Sequence, residues 1–236
     1  MAWRGAYPVP SVEQVGLKRT VRQAILATPA RKLFEPRFVI TGTGRSGTAY
    51  ISAQLRAVGI NCGHEQWWNP HGTKSLRLAG DASWLALFHL DAYRGAVFHQ
   101  VRDPIRVIAS LASTSLDARW REGRTVASSY HAYRSRHVVL TGDPLMDAMR
   151  TVDTYLAEAE RAAQWTWRVE DVDGALICRI AAAIDKPITE IDAQAAVRSV
   201  ATTTNRRDHE LLGWHDLPNG RIKDRLLAHA ENYGYL

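Results

Sequence analysis

Seven consecutive residues, Gly42-Thr-Gly-Arg-Ser-Gly-Thr48, combine three glycines with an arginine and hydroxyl side chains. This is a composition suited to an oxyanion. Gly42, Gly44 and Gly47 let the backbone turn tightly and come close to a ligand. A glycine turn that opens a helix aims backbone N–H groups at a negative charge. Arg45 adds a charged fork, and Ser46 and Thr48 add hydroxyl donors. A nucleotide-binding Walker loop reads GxxxxGK[ST]. Counted from Gly42, its second glycine falls at Gly47, but Thr48 stands where that loop requires lysine, and the cation sits earlier, at Arg45. That argues against an ordinary ATPase or kinase, whose lysine reaches the β- and γ-phosphates.

Several elements must position this loop. Arg37-Phe-Val-Ile-Thr41 reads as a short buried strand, and Ile51, Leu55 and Val58 follow at helical spacing. Ala96–Val101 is a second apolar run, and Asp103-Pro104 then supplies a cap and a first-turn proline for a helix over 105–116. Residues 144–164 carry a helical stripe of Leu145, Met149, Val152 and Leu156. Trp165–Val172 alternates as a strand, Gly174–Ile184 is amphipathic, and a last helix covers roughly 219–233. An N-terminal helix is expected over about 11–27, in an extension that ends near Pro36. Strands alternating with helices predict an α/β fold with a parallel sheet. Ligands of such sheets lie beyond the carboxyl ends of the strands. Gly42–Thr48 and Arg102–Pro104 both sit at such ends and should converge on one crevice.

The chain has 236 residues, 46% of them apolar and 23% charged, which describes a globular chain without low-complexity linkers, long enough for one large domain or two small ones. A single domain over 1–236, with 1–36 as an N-terminal extension, is expected. The net charge of +6 comes mostly from arginine, since Lys18, Lys32, Lys74, Lys186 and Lys223 are the lysines. Arginine suits planar contacts to phosphate or sulfate. Cys62 and Cys178 form neither a disulfide framework nor a metal-ligand spacing. No window approaches a membrane span, and the first residues lack the apolar core of a signal peptide. A cytoplasmic location is expected.

The loop, with Tyr50 behind it, resembles the 5′-phosphosulfate loop of the sulfotransferases that use 3′-phosphoadenosine 5′-phosphosulfate (PAPS). In that family a Lys or Arg precedes Ser-Gly-Thr, and an aromatic residue two positions after the threonine stacks on adenine. The family's second motif binds the 3′-phosphate with an arginine at a strand end and a serine eight residues on; here these are Arg102 and Ser110. Trp167-Arg-Val-Glu-Asp-Val172 is similar to a further family strand. Leu217-Pro218, followed by a helix to Tyr233-Gly-Tyr235, resembles the ending of bacterial members. The chain departs from the pattern at Ala49, where a second hydroxyl is common, and in lacking an Arg-Lys-Gly loop. Arg206, within Asn205-Arg-Arg207, stands where late adenosine-side cations occur.

The resemblance implies a three-layer α/β/α fold with a mostly parallel, P-loop-like sheet. It implies transfer of a sulfuryl group from PAPS to an acceptor hydroxyl or amine, releasing adenosine 3′,5′-bisphosphate (PAP), with no metal. The 5′ side would be held by the segment from Gly42 through Thr43, Ser46 and Thr48 to Ala49 and Tyr50. Arg45 would hold the bridging and sulfuryl oxygens. Removal of the acceptor proton needs a base near the crevice. Family members use His or Glu, and His64-Glu65 should end the second strand; Glu65 is the favoured base, with His64 positioning it. Asp81 is a second carboxylate that could contact the acceptor or act as base, and it equally suits a cap before 84–90. Ser83, Trp84 and Trp67 could line a pocket for a small-molecule or glycan acceptor. Two rivals stand beside this reading. A P-loop nucleoside or small-molecule kinase would use ATP and Mg²⁺. A nucleic-acid-binding module would exploit the basic charge, although the arginines are dispersed and no recognition motif occurs.

Overall fold

The computed structural model describes residues 34–70, 73–75, 77–114, 125–201 and 211–236. Pro36–Leu236 forms one compact unit. The helix expected over 11–27, as well as Arg206, lies outside the described residues.

Strand β1 (Phe38–Thr41) is the apolar run ahead of the glycine loop, and all four of its residues are buried. Helix α1 (Thr48–Ala57) leaves the loop. Strands β2 (Cys62–His64), β3 (Gly80–Ala82) and β4 (Ala96–Val101) follow. Next come helices α2 (Pro104–Thr114), α3 (Thr125–Ser135) and α4 (Pro144–Ala162). The described chain closes with β5 (Trp165–Arg168), α5 (Gly174–Ala183), α6 (Glu190–Ser199) and α7 (Arg221–Asn232). The expected strand over 165–172 is shorter than its alternation suggested. It turns at Val169–Asp171 into one 3₁₀ turn. Strand β3 and helices α3 and α6 were not anticipated.

The five strands form one all-parallel sheet in the order β2-β3-β1-β4-β5. β1 lies at its centre, with Val39 opposite Asp81 on one side and Val97 on the other. A strand buried this way needs cover on both faces. Phe38, Ile40, Phe98 and Trp167 pack with Ile51 and Leu55 of α1 and with Ile177 and Ile180 of α5. Val101 packs instead with Ile105 and Ile108 of α2, Met149 and Val152 of α4, and Leu226 of α7. The spacings of three and four residues are why these helices present apolar stripes.

Helix starts follow local chemistry. Asp103 accepts from the Ile105 N–H at 3.1 Å, and Pro104 supplies the first-turn φ. Asp143, Asp173 and Thr189 cap α4, α5 and α6 in the same way. From β1 the chain travels toward β2, and from β4 toward β5. The diverging connections leave a crevice beyond the carboxyl ends of these two central strands. Among the described residues, no helix is long and apolar enough to cross a membrane.

Candidate functional site

The glycine loop is shaped by neighbours that leave no room for a side chain at two of its three glycines. A Cβ at Gly42 would stand 2.4 Å from the Gln100 carbonyl oxygen and 2.7 Å from Ser46 Oγ. Gly47 has φ +92°, and its Cβ would meet Val169 Cγ2 at 2.7 Å. Gly44 differs, because its nearest neighbours, Leu111 and the Trp84 ring, are 3.9 Å away. Gly47→Ala should therefore cost roughly 2–4 kcal/mol, combining a left-handed backbone with overpacking. Gly44→Ala should stay within about 1 kcal/mol. Urea denaturation of the two variants checks the contrast, and equal losses would defeat it.

Gln100, fully buried on β4, explains how the loop is held. Its amide donates to the Ser46 carbonyl at 2.9 Å, and its own oxygen accepts from Trp167 Nε1 at 3.1 Å. One side chain thus ties the loop to β4 and β5. Ser46 Oγ is buried without a hydrogen-bond partner among the described residues, and Thr43 is buried beside it in the loop. Helix α1 starts at Thr48 behind Gly47 with no side-chain cap and no acidic residue in its first turn. The Tyr50 N–H donates to the Gly47 carbonyl at 2.9 Å, so the N–H groups of Thr48 and Ala49 are the ones that the helix start aims toward the loop, the arrangement that suits an anion.

The second strand end reaches the same place. Arg45, at φ +77°, donates from Nε to Ser110 Oγ on α2 at 3.0 Å. Arg102 Nη1 approaches the Arg45 carbonyl oxygen at 3.5 Å. Two segments far apart in sequence therefore meet through three residues singled out from the sequence. Ala49 and Tyr50 lie in the first turn of α1, and Tyr50 packs half-buried against the core.

Around β2 and β3 a second group assembles. Thr48 Oγ1 lies 3.2 Å from His64 Nε2, which is 3.7 Å from Glu65 Oε1. Trp84 Nε1 donates to Glu65 Oε1 at 2.8 Å, and the Tyr130 hydroxyl donates to Oε2 at 2.8 Å. Each carboxylate oxygen is thus held by a neutral donor. Glu65 itself sits in the left-handed region at φ +51°, which an L-residue occupies at a cost. Burial lowers the His64 imidazole below its ordinary range, against the opposing charge of Glu65. Burial raises the Tyr130 phenol, and the Glu65 charge adds to that. Tyr130 and Gln100 were not foreseen. The one available signal for Tyr130 was the aromatic stripe Tyr130, Tyr133, His137 at helical spacing.

Asp81 and its neighbours serve the turn that follows Glu65. Asp81 is fully buried on β3, where its carboxylate accepts from the N–H groups of Gln66, Trp67 and Trp68 at 3.1, 2.9 and 3.2 Å. It faces backbone amides, not an acceptor, and does not cap the 3₁₀ segment Trp84–Ala92, whose N-cap position is Ser83. Ser83 is fully buried and donates its hydroxyl to the Trp68 carbonyl. Trp67 is 2% exposed, so its ring has no open face to serve as a platform. Trp84 alone of the expected acceptor residues stands between the glycine loop and Glu65.

Burial pushes the Asp81 carboxyl up from 3.8 to about 6, outweighing its three amide donors. Between those values the folded chain binds a proton that the unfolded chain does not. The contribution of this group to stability therefore grows as pH falls through about 6 and levels off below about 4. Asp81→Asn removes that increment, so the variant should trail the native protein by more at about pH 5 than at about pH 7. Denaturant titration at both values tests this; a gap independent of pH would defeat it.

Chemically, the arrangement offers arginines and hydroxyls for an oxyanion, and a clamped carboxylate beside an imidazole for proton transfer. No protein-family model matches the chain, and a search of curated proteins finds none similar to it.

Proposed function

We propose that this chain is a PAPS-dependent sulfotransferase with a three-layer α/β/α fold, working in the cytoplasm. The observation that carries the reading is the meeting of Arg45, Ser110 and Arg102 at the mouth between β1 and β4. Resemblance assigns these residues to opposite ends of one doubly phosphorylated adenosine, and their proximity supports a single ligand.

The residues present suit such a ligand. The Gly42 backbone has no space for a Cβ, Ser46 Oγ is a buried hydroxyl without a partner among the described residues, and the surrounding side chains of Arg45, Thr48, Arg102 and Ser110 can donate. The donor supplies an activated sulfuryl group whose S–O bond to the 5′-phosphate breaks as a bond to the acceptor oxygen forms. Arg45 and the uncapped first turn of α1 stabilise the negative charge that grows on the leaving oxygen. Arg102 and Ser110 hold the 3′-phosphate and fix alignment. Glu65 takes the acceptor proton, and Trp84 and Tyr130 each donate to one oxygen of its carboxylate. Trp84 also forms one wall for an acceptor hydroxyl or amine on a small molecule or glycan.

A thermal-shift comparison of PAP with ATP-Mg²⁺ tests the reading. PAP without metal at about one hundred times its Kd should add about 2.7 kcal/mol of stability. Labelled PAPS should then pass its sulfuryl group to a member of an acceptor library. Stabilisation by ATP-Mg²⁺ and none by PAP would replace the reading with a kinase.

A further inference from the structure

We infer that His64 reports the filling of the glycine loop to Glu65 through the hydroxyl of Thr48, by changing which of its ring nitrogens carries the proton. The inference rests on the proposed loop binding an oxyanion. It does not depend on which group is transferred.

Thr48 belongs to both halves of the site. It is the first residue of α1, where the loop meets the helix, and its hydroxyl lies 3.2 Å from His64 Nε2. One hydrogen serves that contact. Either the hydroxyl donates to a bare nitrogen, or an N–H donates to the hydroxyl oxygen. With the loop empty, the threonine hydrogen is available to Nε2. Glu65 does not demand a proton there, because Oε1 lies 3.7 Å from Nε2, beyond hydrogen-bond reach.

An oxyanion changes the count. It only accepts, so the Thr48 hydroxyl turns its hydrogen to the anion. The oxygen of Thr48 can then only accept from His64. The contact survives if the ring proton moves from Nδ1 to Nε2. That N–H lies between the Thr48 oxygen and the Glu65 carboxylate and draws Oε1 toward it. Glu65 is set in place when the donor is bound. His64 is thus a positioning residue, and the order of binding is built into the site. The charged groups around the ring are Glu65, Arg56 of α1 and Lys74 of the segment after β2. Burial lowers the imidazole, so the ring is neutral at about pH 8 and the question is one of tautomer.

Long-range proton–nitrogen NMR of the full chain at about pH 8 reads the two ring nitrogens, with His64→Gln identifying the signals. Without added anion, Nε2 should resonate as an acceptor and Nδ1 as an N–H. Saturation with PAP, or with inorganic sulfate, should exchange these characters. Thr48→Val should abolish the exchange and weaken sulfate binding about tenfold, and Thr48→Ser should restore both. Calorimetry on the same samples measures occupancy. Saturation with no change at His64, or the same change in Thr48→Val, overturns the inference and leaves the sulfotransferase reading standing. Exchange driven by ATP, with no binding of PAP, supports the inference and removes that reading. If none of the three anions binds, both fall together.

Discussion

Glu65→Gln should lower sulfuryl transfer by about 10²- to 10⁴-fold, the range of a removed general base, and leave PAP affinity unchanged. The substitution keeps shape and removes the negative charge. The glutamine oxygen can still accept from Trp84 Nε1, and the Tyr130 hydroxyl can turn to accept from the new amide. The left-handed backbone at Glu65 is held by the Glu65 N–H to the Ala82 carbonyl and by Asn69 donating to the Glu65 carbonyl, and neither bond involves the side chain. A loss of turnover would therefore report chemistry, not collapse. Steady-state rates with labelled PAPS, beside calorimetry with PAP, separate the two quantities. Full turnover in the variant would move the role to His64, because Asp81 spends its carboxylate on three backbone amides.

The second large effect concerns the arginines. Arg45→Ala and Arg102→Ala should each weaken PAP binding by about 10- to 100-fold, the scale of a lost hydrogen bond to a charged group. The double variant should fall short of the product of the two losses, since Arg102 Nη1 rests against the Arg45 carbonyl and the two positions share one geometry. Arg161→Ala removes the same charge from an exposed ion pair with Asp91 and Glu158 and should leave affinity alone. Calorimetry on the four variants beside the native chain decides the matter. Unchanged binding in both single variants would remove the site assignment, and equal loss in Arg161→Ala would reduce it to net charge.

The parts of the fold visible in the sequence are those with strong local signals. Phe38–Thr41 before a glycine loop, and Ala96–Val101 before Asp103-Pro104, both read correctly because apolar run, turn and cap stand side by side. Gly80–Ala82 escaped notice because three residues, one of them a buried aspartate, carry no periodicity. Helix α6 was missed for its mixed composition: Ala193 and Ala196 are its buried side chains. In the candidate site, the loop and the Arg102–Ser110 pair were legible as motifs. The clamp on Glu65 was not, since Tyr130 lies 65 positions away and only tertiary packing joins them. Asp81 was ambiguous for a related reason. A carboxylate before a short helix looks like a cap until the sheet turns it toward Gln66–Trp68.

The central position of β1 bears on how the chain comes into being. β1 is synthesised before the other strands of the sheet, yet both of its partners, β3 and β4, come later, and the Gln100 amide that grips Ser46 is itself steadied by Trp167. Such non-local pairing must await loop closure and is slow. During synthesis, residues 42–48 therefore acquire the outline of a receptor only after Trp167 has followed them out of the ribosome. A nascent chain halted ahead of Trp167 would contain every residue of the glycine turn, and Gln100, without the indole that steadies that side chain.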